Sequence, residues 1–199
     1  MVVFTTALSF GLTYMFGYED EASSVPAEDK EAEAIIEEET TGALPASLQD
    51  ETIISPIVGQ AVALSDVNDP VFSSGAMGQG IAIKPTEGVV YAPADAEVTI
   101  AFATGHAYGL KTANGAEILI HVGIDTVSMN GEGFDQKVAQ GDKVKAGDVL
   151  GTFDAAKIAA AGLEDTTMVI VTNTADFASV TPVATGSVAK GDAIIEVKA

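Results

Sequence analysis

Two imidazoles and no thiols set the chemistry available to this chain. Among its 199 residues there are two His, His106 and His121, and neither Cys nor Trp. Without Cys there is no disulfide scaffold, iron–sulfur cluster, thiolate zinc site or cysteine nucleophile. Both His lie in the run TGHAYGLKTANGAEILIHVGIDT, Thr104 to Thr126. Asn114-Gly115 between two apolar runs is a hairpin signal. A two-residue loop would pair Ala113 with Ala116 and set His121 opposite Tyr108. His106, two positions along the same face, would then be a diagonal neighbour at about 7–8 Å. A bulge or a three-residue loop would flip that parity.

Two chemistries suit a convergent His pair. Neutral imidazole ligates zinc, but two His supply half of a tetrahedral set, and Asp125 follows four residues after His121. The other is nucleophilic phosphoryl transfer. An imidazole with an ordinary pKa near ~6.5 is largely neutral at pH 7 and offers a lone pair without a separate base. A second imidazole can hydrogen-bond the phosphoryl oxygens and stabilise charge during transfer. Thr104 could accept from the other nitrogen of that ring and fix its tautomer. No Walker-type phosphate loop is present, which argues against nucleotide hydrolysis.

The elements that must position these residues lie in the second part of the chain. Met1–Tyr18 has no charged residue, and at ~1.5 Å per residue as helix it would reach the lower limit for spanning a bilayer. It is expected to be the tail of a membrane domain, with a weak stand-alone anchor or a structurally inert extension as the alternatives. The stretch 19–50 is acidic: Glu19–Glu51 holds twelve acidic residues against Lys30, so 11 of the 20 net negative charges fall there. It reads as a solvated linker. From residue 51 to 199 short Val/Ile-rich runs alternate with Gly, Pro, Asn and Asp clusters, the pattern of an all-β sandwich or barrel. Strands are expected at 52–58, 81–83, 98–102, 118–122, 149–153, 168–171 and 194–197. One helix is expected at Ala155–Ala161, with Asp154 as N-cap and Gly162 as stop. Internal echoes (SPIVGQAV with APADAEV, VAQGDKVKAGDVL with VAKGDAII) point to a duplicated β-hairpin architecture with few short helices. The charge of −20 argues against nucleic acid, whose partners are basic, and against docking on anionic lipid.

The run GHAYG…EILIHVGIDTVSMNGEGF resembles the active-site region of the glucose-family enzyme IIA component of the bacterial phosphoenolpyruvate-dependent sugar phosphotransferase system. ISPIVG from Ile54, DPVFSSGAMGQGIAIKPTEG from Asp69 and VAQGDKVKAGDVL agree with it. The resemblance covers about residues 50–199. It implies an antiparallel β-sandwich built on a duplicated hybrid motif. It also implies a cytoplasmic phosphocarrier, at the inner face of the membrane when joined to its permease. That carrier takes phosphate from the phosphocarrier HPr and passes it to an enzyme IIB domain, beside the membrane-spanning IIC domain. His121 then corresponds to the phosphoryl acceptor, His106 to the partner supporting transfer, and Thr104 to the hydroxyl contacting the active imidazole. Asp125 matches an acidic residue beside the site. Val71, Phe72, Ala76, Met77, Phe102 and Leu119 match an apolar docking ring. FGLTYMFGYED near the start resembles the end of a sugar-permease domain, which makes the acidic stretch a tether. No cofactor is implied for transfer. Zinc held by His106 and His121 is implied only at an interface with a regulatory target enzyme.

Two other readings compete. A zinc hydrolase of the lysostaphin-like type shares the hybrid-motif fold, but its His-x-His and His-x-x-x-Asp ligand pattern is missing here. A non-catalytic regulatory or lipoyl-like module would fit VAQGDKVKAGDVL, yet no Lys stands at the tip of the expected turn.

Overall fold

The computed structural model describes residues 48–199. The apolar segment at 1–18 and all but the last three residues of the acidic linker lie outside the described residues. Fourteen strands, two short α-helices and three 3₁₀ turns make up the described part. An eight-stranded antiparallel sheet runs in the order β13-β2-β3-β11-β7-β6-β5-β9. Its strands are β2 (Gly59–Ala63), β3 (Gln79–Pro85), β5 (Ala96–Ala101), β6 (Ala107–Thr112), β7 (Glu117–Val122), β9 (Lys143–Val144), β11 (Thr167–Val171) and β13 (Gly186–Val188). Two three-stranded sheets complete the sandwich. One joins β1 (Glu51–Ile54), β14 (Ala193–Lys198) and β12 (Ser179–Pro182); the other joins β4 (Val89–Tyr91), β10 (Val149–Phe153) and β8 (Phe134–Gln136).

The period of two along β7 explains how this sheet serves two cores. Ile118, Ile120 and Val122 point inward to the main cluster, with Ile53, Leu150, Val169 and Ile195. Leu119 points the other way, into a second apolar cluster with Ala82, Ala107, Met168 and Ile170. β11 is apolar at both parities because it is buried on both faces, every residue of TMVIV being buried. His121 sits on that outer face. Pairing places Ala107 and Met168 on either side of it, with Ala82 beyond Met168 and Val62 beyond Ala82.

The echoes in the sequence are three copies of one turn. Asp142, Asp148 and Asp192 each accept from the backbone N–H three residues earlier, Ala139, Lys145 and Ala189, at 2.8 Å. Each turn also grips a passing strand with a pair of backbone bonds. Asp148 and Gly147 hold Ala92, Asp142 and Gly141 hold Val98, and Asp192 and Gly191 hold Ser55. The repeated Gly-Asp steps therefore clamp the two repeated Pro-containing runs, as a duplicated motif requires.

Helix α1 (Pro70–Ser73) was not among the expected elements. Asp69 caps it, accepting from Val71 N–H at 2.7 Å and Phe72 N–H at 3.4 Å, with Pro70 in the first turn. Helix α2 runs Ala155–Ala160, capped by Asp154 as expected. The hairpin between β6 and β7 forms, but not with the expected register. Ala107 pairs with His121 and Lys111 with Glu117. Thr112 N–H reaches Ala116 O at 2.9 Å, so the loop is the three residues Ala113-Asn114-Gly115. Gly115 takes φ +99°, as a three-residue hairpin with its glycine in left-handed space does. The parity flips: Ile120, not His121, faces Tyr108. Among the described residues no helix is long and apolar enough to cross a membrane.

Candidate active site

With the flipped parity, His106 cannot reach His121 as a same-face diagonal neighbour within the ladder. It does so because the ladder stops first. Strand β6 begins at Ala107, and Gly105 before His106 adopts φ +69°. This left-handed step turns the chain where a β-carbon would be disfavoured. His106 keeps one backbone bond to β7, its carbonyl accepting from Val122 N–H at 2.8 Å. Its ring meets His121 edge-on, with centroids 5.0 Å apart and planes at 80°. The two His are brought together, by a different route from the one the hairpin rule predicts.

Each ring is held at its Nδ1. His121 Nδ1 lies 2.8 Å from the Gly123 carbonyl oxygen. A carbonyl can only accept, so Nδ1 carries the proton and the lone pair of the neutral ring is at Nε2. Gly123 has φ +81°, and a β-carbon there would stand 2.4 Å from the Thr126 methyl group and 2.8 Å from Glu164 O. Only glycine presents its carbonyl to His121 in this way. Thr126, fully buried, ties the loop back through its hydroxyl to Val122 O at 2.5 Å.

His106 Nδ1 lies 2.5 Å from Thr104 Oγ1. Thr104 therefore serves His106 and not the His121 ring. His106 is 4% exposed, and burial, reinforced by the neighbouring His121, pulls its pKa down to about 3. His121 is half-buried. Burial lowers its pKa too, opposed by the Gly123 bond and by the negative charges of Asp69 and Asp125. Both rings are neutral at pH 7.

Around the rings the surroundings are apolar. Phe72 stacks obliquely on His121 at 5.1 Å and Phe102 on His106 at 5.3 Å. Val71, Met77 and Leu119 belong to the same outer cluster, Leu119 two positions before His121 on its face of β7. Ala76 is exposed and lies outside that cluster. Phe72, Met77 and Leu119 are buried, so Val71, Phe102 and Ala76 present the accessible part of the ring. Asp125 is exposed in left-handed backbone at φ 59°, its carbonyl held by the Ser128 N–H and hydroxyl. Asp69 was missed by sequence reasoning, although an Asp-Pro step opening a short apolar run is an N-cap signature. Gly123 and Met168 were missed because each acts through a partner distant in sequence or through backbone alone.

Among the described residues no group of three or more His, Asp or Glu side chains could hold a metal ion. The two imidazoles fit half of a tetrahedral zinc site, so further ligands would have to come from outside the described residues.

Residues 51–177 match the family model of the phosphoenolpyruvate-dependent sugar phosphotransferase system, EIIA 1. The chain is 43% identical over 190 residues to the PTS system beta-glucoside-specific EIIBCA component of Dickeya chrysanthemi, covering 94% of this chain and 30% of that relative. It is 47% identical over 131 residues to the PTS system glucose-specific EIIA component of Bacillus cereus, covering 66% of this chain and 79% of the relative. The chain thus spans less than a third of the beta-glucoside component and most of the glucose one. Among solved structures it resembles glucose permease IIA from Mycoplasma capricolum, with TM-score 0.68 and 34% identity over 74% of this chain and 96% of that one.

Proposed function

Because the chain belongs to the EIIA 1 family of the phosphoenolpyruvate-dependent sugar phosphotransferase system, we propose that it is a phosphoryl carrier with His121 Nε2 as acceptor. The observation that carries this reading is the Nδ1 bond of His121 to Gly123 O. It leaves the lone pair of a neutral imidazole on Nε2, in a half-buried ring beside Phe72. The phosphoryl group arrives on a histidine nitrogen of HPr. Nε2 of His121 forms the new P–N bond as the old one breaks, and that electron pair returns to the departing imidazole. Onward transfer to the acceptor of an enzyme IIB domain reverses these roles. Charge in a loose phosphoryl transition state is spread over the oxygens, so a positioned donor counts for more than covalent help.

His106 is that donor. Being neutral, its ring has one N–H. For Nε2–H to face the phosphoryl oxygens, Nδ1 must accept from Thr104, whose hydroxyl then donates. This reverses the proton direction expected from the sequence, where Thr104 accepts. Phe72, Phe102 and Val71 exclude water around the rings and slow hydrolysis of phosphohistidine. Asp69 and Asp125 add negative charge that suits a basic partner. The apolar ring of Val71, Phe72, Ala76, Met77, Phe102 and Leu119 would dock HPr and enzyme IIB in turn. Residues 1–18 would be the end of a IIC permease domain and 19–50 its tether, with the carrier working at the cytoplasmic face. Zinc would enter only where a regulatory partner adds ligands to His106 and His121. No observation favours the hydrolase or lipoyl-like readings.

Incubation with phosphoenolpyruvate, enzyme I and HPr should place one acid-labile, base-stable phosphate on the chain. His121→Gln should abolish it, and His106→Gln should accept phosphate but pass it to enzyme IIB at least tenfold more slowly. Label that survives His121→Gln would sink the assignment, and undiminished onward transfer would remove His106 from its role.

A further inference from the structure

Away from the histidines, a groove of about 660 Å³ opens between β5, β6 and β9. Its lining includes Lys111, Lys143 and Lys145, three of the nine cationic side chains in a chain that carries 29 acidic ones. Asp95 and Glu97 also face it. Lys145 pairs with Asp95 at 2.7 Å and Lys111 with Glu117 at 2.8 Å, whereas Lys143 makes no ion pair among the described residues. Ala113 and the half-buried Ala96 give the groove apolar surface. Its lining carries three Lys against two carboxylates, a local excess of positive charge in an acidic chain.

The chain itself delivers such a segment there. The domain begins with Gln49 N–H bonded to Asn114 O at 3.1 Å and Glu51 accepting from the Thr112 hydroxyl at 2.7 Å. Thr112 and Ala113 line the groove, so the chain joins the fold at the groove's rim. Upstream, Glu19–Ser47 holds ten acidic residues and Lys30, with Ile35-Ile36 directly before Glu37-Glu38-Glu39. Glu39 is nine residues before Leu48, and an extended chain of that length reaches about 30 Å. A tethered segment meets a nearby site at high effective concentration, so weak charge pairing suffices.

We propose that the acidic segment preceding the domain folds back into this groove, with Glu37-Glu38-Glu39 against Lys143, Lys145 and Lys111 and Ile35-Ile36 over its apolar surface. The carrier domain is then parked against its own tether, and the dock is weakened by salt because the charges are near solvent. It does not depend on whether His121 carries phosphate.

The test is zero-length carbodiimide cross-linking of the full 199-residue chain at low salt, read by peptide mass spectrometry. Mixed isotopically labelled and unlabelled copies separate joins within one chain from joins between two. Glu37, Glu38 and Glu39 should be joined to Lys143 or Lys145 at least threefold more often than to Lys84, Lys137, Lys157 or Lys190. The excess should vanish at 1 M NaCl, and Lys143→Glu should cut joining at the retained Lys145 at least threefold. Equal joining to all lysines would overturn the proposal. So would groove lysines joined only to Asp95, Glu97 or Glu117, or joins found only between chains, which would make a second copy the occupant.

Discussion

At His106 the burial of an imidazole becomes a pH signature. Its pKa falls from 6.5 to about 3 on folding, so between these values the unfolded chain binds a proton that the folded chain refuses. The stability this residue contributes is fully present above about pH 6.5 and is lost as pH falls toward 3, at up to about 1.4 kcal/mol per pH unit. His121 works in the same direction, since its pKa is lowered too. Glu51 and Asp165, raised by burial, work in the opposite one. Comparison of wild type with His106→Gln cancels those other groups. Urea unfolding at intervals between pH 7 and pH 3.5 should show a shallower loss of stability in the variant. An identical slope would mean that the folded protein lets His106 protonate freely. The residue scale also shows what sequence could and could not say. The types and proximity of His106 and His121 were legible, as was the Thr104 hydroxyl beside an imidazole. The ring it serves, the direction of its proton and the Gly123 carbonyl were not, because they depend on where backbone atoms come to rest.

Between elements, the inner core joins the large sheet to β10 at one close approach. The buried Tyr108 hydroxyl stands where a β-carbon on Gly151 would be, 2.1 Å away, and the Asp135 carbonyl would be 3.1 Å away. Gly151→Ala should therefore destabilise the domain by about 1–3 kcal/mol, in the range of overpacked cores. Tyr108→Phe combined with it should restore at least half of that loss in a thermal or urea double-mutant cycle. No restoration would place the conflict at the Asp135 backbone. Strand positions at β3, β7, β10, β11 and β14 were readable from Val/Ile runs bounded by turn residues, and α2 from its Asp154 cap. The hairpin register was not, since Asn-Gly serves two- and three-residue loops alike and one residue decides which face His121 takes. Helix α1 is four residues long, too short for an apolar period to declare itself. The order of strands in the large sheet rests on pairings such as β3 with β11, some 85 residues apart, that no local pattern encodes.

For the whole molecule, charge and chemistry are kept apart. Residues 19–47 carry ten carboxylates and Lys30 in a short stretch, a denser acidic excess than the fold has, while the His pair lies beside an apolar cluster on the outer face of the large sheet. The chain joins the domain at the loop end of the β6–β7 hairpin, and His121 lies near the opposite end of β7, four residues or about 13 Å beyond Glu117. Entry of the chain at that end leaves the histidine face clear. One more contact at that end matters for how such a domain can be wired. The Asp50 carboxylate accepts from Lys198 Nζ at 3.1 Å and from Ala199 N–H at 3.0 Å, so residue 50 and residue 199 are held side by side. Adjacent ends of this kind make a domain tolerant of circular permutation. A circular permutant that joins Ala199 to Asp50 through a short glycine linker, with new ends between Ala161 and the exposed Gly162, should fold in one cooperative transition. It should also accept phosphate at His121 within about threefold of the parent rate. Loss of cooperative unfolding in that permutant would show that chain order, and not only the closed sandwich, is needed to build the site. If it folds, the same unit can be spliced into a surface loop of a host protein.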